Sequence, residues 1–361
     1  MNARFASIWL PALIGLAGCC PKSPKPIGDN PELPESVQLP PENLPPRCVQ
    51  NGRDLLVGKS GGNADAEVEA LLPFSTEVGK GVAFTGGFAV GALRQEGDGT
   101  FAVVARMNRD GASSTVVPLA RSHGDAEPPR VFSSPGVLGA ALLEPSGTKR
   151  SLRLARVDGE SAQWGAELPQ GNDESLAFDV ALGAKRGVAV WDDLPKDRDV
   201  SGIYVATFDP TSLSNATMPR VVTLMGVDAD TPRLAKRDGG FWLFWTVRRP
   251  EGGEDYDARY RAEDISNRWI EVVPISEDGT LAGSPRRIGS ESGHVLVYDV
   301  IEGKDGSAIV MWRDDDTPSG SVGGNLYAAV VRLGGVDGPD LIENESSGVG
   351  APNLLPGWLA I

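Results

Sequence analysis

Histidine and cysteine are almost missing from this chain, with two His and three Cys among 361 residues. Counting alone therefore excludes multi-histidine metal centres and zinc ribbons, which need three or four such ligands. Basic residues are also short: 34 Lys and Arg stand against 49 Asp and Glu, a formal net charge of −15. A nucleic-acid backbone or an anionic lipid surface would repel such a protein, so nucleic acid is excluded as its main partner. Aromatics make up only 6% of residues, although eight of them are Trp. What is abundant is turn-forming residues: glycine (45) and proline (28) together make about one residue in five. The 40% apolar content still suffices for a real core, and the length suggests two domains or one large repetitive one.

The first 18 residues read as an address. After Arg4, Phe5 to Gly18 runs for 14 residues without a charge. That is shorter than the roughly 20 residues a membrane-spanning helix requires, and it suits the apolar core of a signal peptide. The run ends in Leu16-Ala17-Gly18-Cys19, which resembles the lipobox of bacterial lipoproteins. The resemblance implies cleavage before Cys19, lipidation of its thiol and a place in the cell envelope, on the outer membrane. Acyl chains contribute about 0.8 kcal/mol per buried methylene, so several chains on Cys19 would hold the protein on a membrane almost permanently. From Cys19 to Arg47 the composition changes, with nine prolines among the 26 residues from Pro21 to Pro46. Such a segment favours extended polyproline II and acts as a semi-rigid spacer. Cys20 and Cys48 are the remaining thiols; bridging them would fold the spacer back on itself, and they are expected to stay unbridged.

Residues 48–361 contain a repeat. Short β-rich runs follow Gly87, Gly136, Gly187, Gly240, Gly306 and Gly357, spaced by 49, 51, 53, 66 and 51 residues. A second run recurs out of phase and ends in a turn, beginning at Leu55, Phe101, Leu152, Ile203, Trp269 and Leu326. Further runs follow at Ala66, Ser114, Pro219 and Ser284, and others open units at Pro128, Thr231 and Ala351. Four strands in about 50 residues is the size of one β-propeller blade, whereas tandem β-sandwiches need about 100 residues per domain. No sustained 3.6-residue period appears, which removes the α/β alternatives. The reading is therefore all-β, a single propeller of six four-stranded blades. The sixth is shared between the Leu55 and Ala66 runs at one end and residues 351–361 at the other, with Trp358 buried between blades. Ring closure of that kind removes exposed strand edges.

Trp191-Asp192-Asp193 before Ile203-Tyr204, and Trp312-Arg313-Asp314 before Leu326-Tyr327, resemble repeats of secreted bacterial propellers. In those, Trp-x-Asp precedes a loop and an aliphatic-Tyr pair starts the next strand. At fold level the chain is similar to Tol-system and sialidase-like propellers, without an intact sialidase box: Ser276-Glu277-Asp278-Gly279 has its glycine one place early. The resemblance implies architecture, and fold alone does not give function.

Catalytic motifs are scarce. Gly58-Lys59-Ser60-Gly61-Gly62 matches Gly-x-Ser-x-Gly, but a nucleophile elbow needs a strand followed by a helix, and here another strand follows. Gly52 to Ser60 has one residue too many for a phosphate loop. His123 and His294 fall where units join, with no acid–base partner evident. The acids offer more. Three long loops, Asp192–Gly202, Thr246–Arg268 and Arg313–Asn325, come from consecutive units and are expected to form a lip on one face. The middle one holds six acids and five arginines around Tyr256 and Tyr260, a composition suited to recognition. The expected ligand-binding residues are Asp192, Asp193, Arg248, Arg249, Tyr256, Tyr260, Asp314 and Asp315. Asp314, Asp315 and Asp316 are the candidate oxygen ligands if the lip holds a metal, which would be calcium; no other cofactor is expected.

Two functions fit these residues. One is a membrane-anchored envelope lipoprotein whose propeller binds or scaffolds a protein or glycan without catalysis. The other is an extracellular glycan hydrolase using paired carboxylates, Asp192 and Asp314 being the best available pair, at the separation of roughly 5 to 9.5 Å such chemistry requires. No residue pair is seen to converge, so binding is the reading carried forward.

Overall fold

The computed structural model describes residues 47–50, 53–56, 75–108, 114–122, 127–146, 149–169, 177–250, 266–316 and 324–343. The signal peptide, Cys19, the linker, Tyr256, Tyr260, the Ala66 run and residues 351–361 lie outside them. Among the described residues no helix is long and apolar enough to cross a membrane.

Two short strands come first, β1 (Arg47–Gln50) and β2 (Arg53–Leu56), paired antiparallel. Five antiparallel four-stranded meanders follow. Blade one is β3 (Ser75–Phe84), β4 (Gly87–Glu96), β5 (Gly99–Asn108) and β6 (Ser114–Arg121). Blade two is β7 (Arg130–Ser134), β8 (Val137–Ser146), β9 (Lys149–Asp158) and β10 (Ser161–Pro169). Blade three is β11 (Phe178–Leu182), β12 (Gly187–Asp193), β13 (Gly202–Phe208) and β14 (Arg220–Val221). Blade four is β15 (Asp228–Arg237), β16 (Gly240–Pro250), β17 (Ser266–Ser276) and β18 (Arg286–Ile288). Blade five is β19 (Val295–Glu302), β20 (Ala308–Asp315), β21 (Gly324–Arg332) and β22 (Gly335–Glu343). First strands neighbour first strands around the ring, β3 by β7, β7 by β11, β11 by β15 and β15 by β19. This is a β-propeller. Among the described residues five blades are complete, and the β1–β2 sheet, whose second strand ends on Leu55 and Leu56, lies beside β22.

The repeating glycine marks the turn from first to second strand. In β8, Gly139 lies under the Phe132 ring from β7, so a Cβ at that position would collide with it. Second strands read as continuous apolar runs because both faces are covered: Phe241, Trp242, Leu243, Phe244 and Trp245 of β16 are all buried. Alternate residues of that run enter different cores. Trp242 and Phe244 pack toward blade five, and Phe241, Leu243 and Trp245 pack toward blade three. The Trp-x-Asp motif proves to be a cross-strand pair. Trp191 stacks on Tyr204 at 5.8 Å and 9°, and Trp312 on Tyr327 at 5.6 Å and 22°. Such contacts add about 0.5–1.5 kcal/mol beyond area burial.

Candidate functional site

The first strands, which neighbour one another around the ring, are linked by charged and polar side chains, with Asp179 and Asp299 buried among them. Lys80 of β3 donates to Asp299 Oδ1 of β19 at 2.8 Å and to the Val300 carbonyl at 2.7 Å. Arg130 of β7 meets Asp179 of β11, Nε to Oδ1 at 3.3 Å. Asp179 Oδ2 accepts the Leu234 amide of β15 at 2.8 Å. The Tyr298 hydroxyl of β19 donates to the Thr231 carbonyl of β15 at 2.5 Å. Ser133 Oγ of β7 donates to the Ala83 carbonyl of β3 at 2.6 Å. Among the described residues, each pair of neighbouring first strands is thus bonded, and Lys80 joins the fifth back to the first.

The reason is backbone chemistry. An innermost strand is an edge strand, with one row of amides and carbonyls lacking a ladder partner. Side chains of the adjacent blade supply those partners. Burial opposes the charge on half-buried Arg233, but the negative charges around it, including Asp179, Asp299 and Glu127, outweigh that and raise its pKa. Burial also pushes the Tyr298 hydroxyl well above its ordinary value, so it stays a donor.

A cavity of about 460 Å³ opens from this belt, within the size range of small-molecule sites. Its charged lining comprises Lys80, Arg130, Asp179, Lys236, Glu302 and Lys304, between apolar stretches such as Val131–Phe132 and Val180–Leu182. Burial raises the Glu302 carboxyl and nearby Lys236 opposes the shift. The lining residues cluster at the C-terminal ends of the first strands, beside the hairpins leading to the second strands. The cavity therefore faces away from the long loops, on the side opposite the expected lip.

The expected binding residues sit deeper than the sequence suggested. Asp192 and Asp193 belong to β12, Arg248 and Arg249 to β16, and Asp314 and Asp315 to β20, so none of them lies in a loop. Asp192 accepts the Ala177 amide at 3.1 Å through Oδ1 and the Thr231 amide at 3.0 Å through Oδ2, tying blade three to blade four. Asp193 is buried and accepts the Leu194 amide at 2.8 Å. Arg248 Nε holds Asp228 at 2.6 Å. Burial raises the Asp228 carboxyl against the pull of that arginine. Arg249 lies 5.2 Å above the Trp269 ring and 3.6 Å from Glu291. Asp314 accepts the His294 amide at 2.7 Å, in the role Asp192 plays two blades earlier, and burial raises its carboxyl. Asp315 pairs with Arg313 at 2.9 Å.

Asp192 thus straps blade three to blade four, and Asp314 ties down the chain entering β19 within its own blade. Of the three candidate oxygen ligands, Asp314 faces an amide, Asp315 faces Arg313 and Asp316 is exposed. Among the described residues no three His, Cys, Asp or Glu side chains converge as a metal site. His294 rests its Nδ1 3.0 Å from the Asp315 carbonyl oxygen.

No protein family's sequence model matches the chain, and no curated protein does. Solved structures resemble it at low identity. An α-L-arabinofuranosidase from Lactobacillus brevis is 12% identical with a TM-score of 0.42, covering 69% of this chain and 88% of that one. An endo-arabinase from Bacteroides thetaiotaomicron is 12% identical with a TM-score of 0.38, covering 68% and 90%. The β-propeller domain of the Trilobed protease from Pyrococcus furiosus is 9% identical with a TM-score of 0.45, covering 79% and 77%. At such values nothing about activity carries over to this chain.

Proposed function

We propose that this protein is a lipid-anchored binding module of the cell envelope. Cys19 carries the anchor, the proline-rich segment to Arg47 spaces the body from the membrane, and the propeller engages a protein or glycan partner. The observation that carries the binding reading is the commitment of the channel and strap acids. Asp179, Asp192, Asp299 and Asp314 each accept a backbone amide, and Asp179 and Asp299 also face a cation. A retaining or inverting hydrolase needs one carboxyl protonated and a second free to act as base or nucleophile. Acids tied into blade junctions serve that chemistry poorly.

A second reading, hydrolysis of an extracellular glycan, has one observation in its favour. Glu302, with its raised carboxyl, and Asp179 line the same cavity. The deciding experiment incubates the detergent-solubilised full chain with envelope glycans and with membrane extract. Captured partners without released sugar support binding. Released reducing ends that vanish in Glu302→Gln assign hydrolysis and overturn the binding reading. Labelling with radioactive palmitate, lost in Cys19→Ser, tests the anchor.

A further inference from the structure

The belt of channel charges is incomplete at one place. In blade order the charged residues are Lys80, Arg130, Asp179, Arg233 and Asp299. Acid and base alternate from Arg130 through Asp299 and back to Lys80. Between blades one and two they do not: Lys80 and Arg130 follow one another, and the link at that junction is the neutral Ser133–Ala83 hydrogen bond. Both cations line the cavity, which Lys236 and Lys304 also border against Asp179 and Glu302. In a protein of net charge −15, that is a local excess of base. Arg130 approaches Asp179 through Nε, and its two terminal nitrogens form the planar fork that grips a carboxylate. Beside these cations stand Val82, Val131, Phe132 and Val180, an apolar wall on the same cavity.

We propose that the cavity binds a small organic carboxylate with an apolar body. Its carboxylate takes the acid place missing between Lys80 and Arg130, and its body lies on the Val131–Phe132 side. This rests on the binding reading, since it treats the channel acids as structural. It concerns the face opposite the long loops, so the module would have a small-molecule site apart from any partner bound at the lip.

The test compares 4-phenylbutyrate with its neutral isostere 4-phenylbutyramide, by calorimetry on the full chain in detergent. The acid should saturate a single site and the amide should bind at least about ten-fold more weakly, the charged contact being what the cavity offers. Inorganic phosphate, a charge without an apolar body, should also bind more weakly than the acid. Lys80→Met removes one cation but also a belt bond. Ser133→Asp is the second variant: it places an acid at the junction at the cost of the Ser133–Ala83 bond, and should abolish acid binding while the protein still unfolds cooperatively in urea, with a midpoint only modestly below that of the parent. Equal binding of acid and amide overturns the proposal, as does unchanged acid binding in Ser133→Asp or the absence of saturation by the acid. Each of those results leaves the binding reading standing if envelope partners are still captured. Release of sugar by the parent would instead remove the binding reading itself.

Discussion

Asp179→Ala should destabilise the protein more than any exposed acid can. Asp179 is 9% exposed, and its carboxylate holds the Leu234 amide at 2.8 Å and faces Arg130 at 3.3 Å. Truncation leaves that buried amide without an acceptor, which costs about 1–3 kcal/mol. It also leaves Arg130 and Arg233 facing one another's neighbourhood without their shared acid. Removing one partner of a buried pair costs about 3–5 kcal/mol, and the partial exposure of Arg130 places this case at the low end. The expected loss is about 4 kcal/mol, read from urea unfolding followed by tryptophan fluorescence with an unchanged m value. The double variant Arg130→Met/Asp179→Leu should recover part of the loss, because an apolar pair needs no compensation. A loss below about 1 kcal/mol for Asp179→Ala, the range of surface ion pairs, would refute the belt as a structural device.

Trp191→Ala, which empties a buried site and breaks the stack on Tyr204, should cost about 3–5 kcal/mol in the same assay. Glu277 gives a pH signature. Slight burial pushes its carboxyl up, but the amides of Ala184, Lys185 and Arg186 in blade three outweigh that and hold it below its ordinary value. Its contribution is therefore full above the unfolded-state carboxyl pKa and fades as pH falls through the lower folded value, so Glu277→Gln should flatten the acid limb of stability against pH. Asp278, lowered to about 2 by Ser276 and Thr280, keeps its contribution above the unfolded-state pKa and loses it as pH falls through about 2, so the stability lost in Asp278→Asn should be larger at pH 4 than at pH 2. Arg220→Met should cost about 1 kcal/mol, since its guanidinium bonds the Asp278 carbonyl of the next blade at 3.1 Å.

The strand pattern was legible because it is repetitive and local. The glycine-led runs became β4, β8, β12, β16 and β20, and the out-of-phase runs became the third strands of the same blades. Ladders extend further than the composition implied: Pro250 still pairs with Ser266, so Arg248 and Arg249, read as loop residues, are strand residues. Polar content misleads there because strand-end charges are taken up by neighbouring strands: Asp192 accepts the Thr231 amide of the next blade, and Arg248 holds Asp228 of its own. The belt itself was missed although it left a trace. Phe178-Asp179-Val180 and Tyr298-Asp299-Val300 share one pattern, and each Asp accepts the amide of the Val after it. Pro129-Arg130 and Pro232-Arg233 share another. Both fall at first strands, and pairing between blades cannot be read from spacing within one. An outer series was hidden for the same reason: Arg106, Arg156, Arg220 and Arg286 each donate to a carbonyl of the following blade.

The bond between Lys80 and Asp299 joins residues 219 positions apart, while most other contacts in the ring are between strands adjacent in sequence. Blades can assemble one after another as the chain emerges, each burying its faces against the last, but this link must wait for the fifth. Until then the lysine and the aspartate are each half-solvated charges at opposite ends of an open arc. An arc that stalls at four blades would therefore lack Asp299 and leave Lys80 without that acid, so the pair exists only in a chain whose fifth blade has come round to the first.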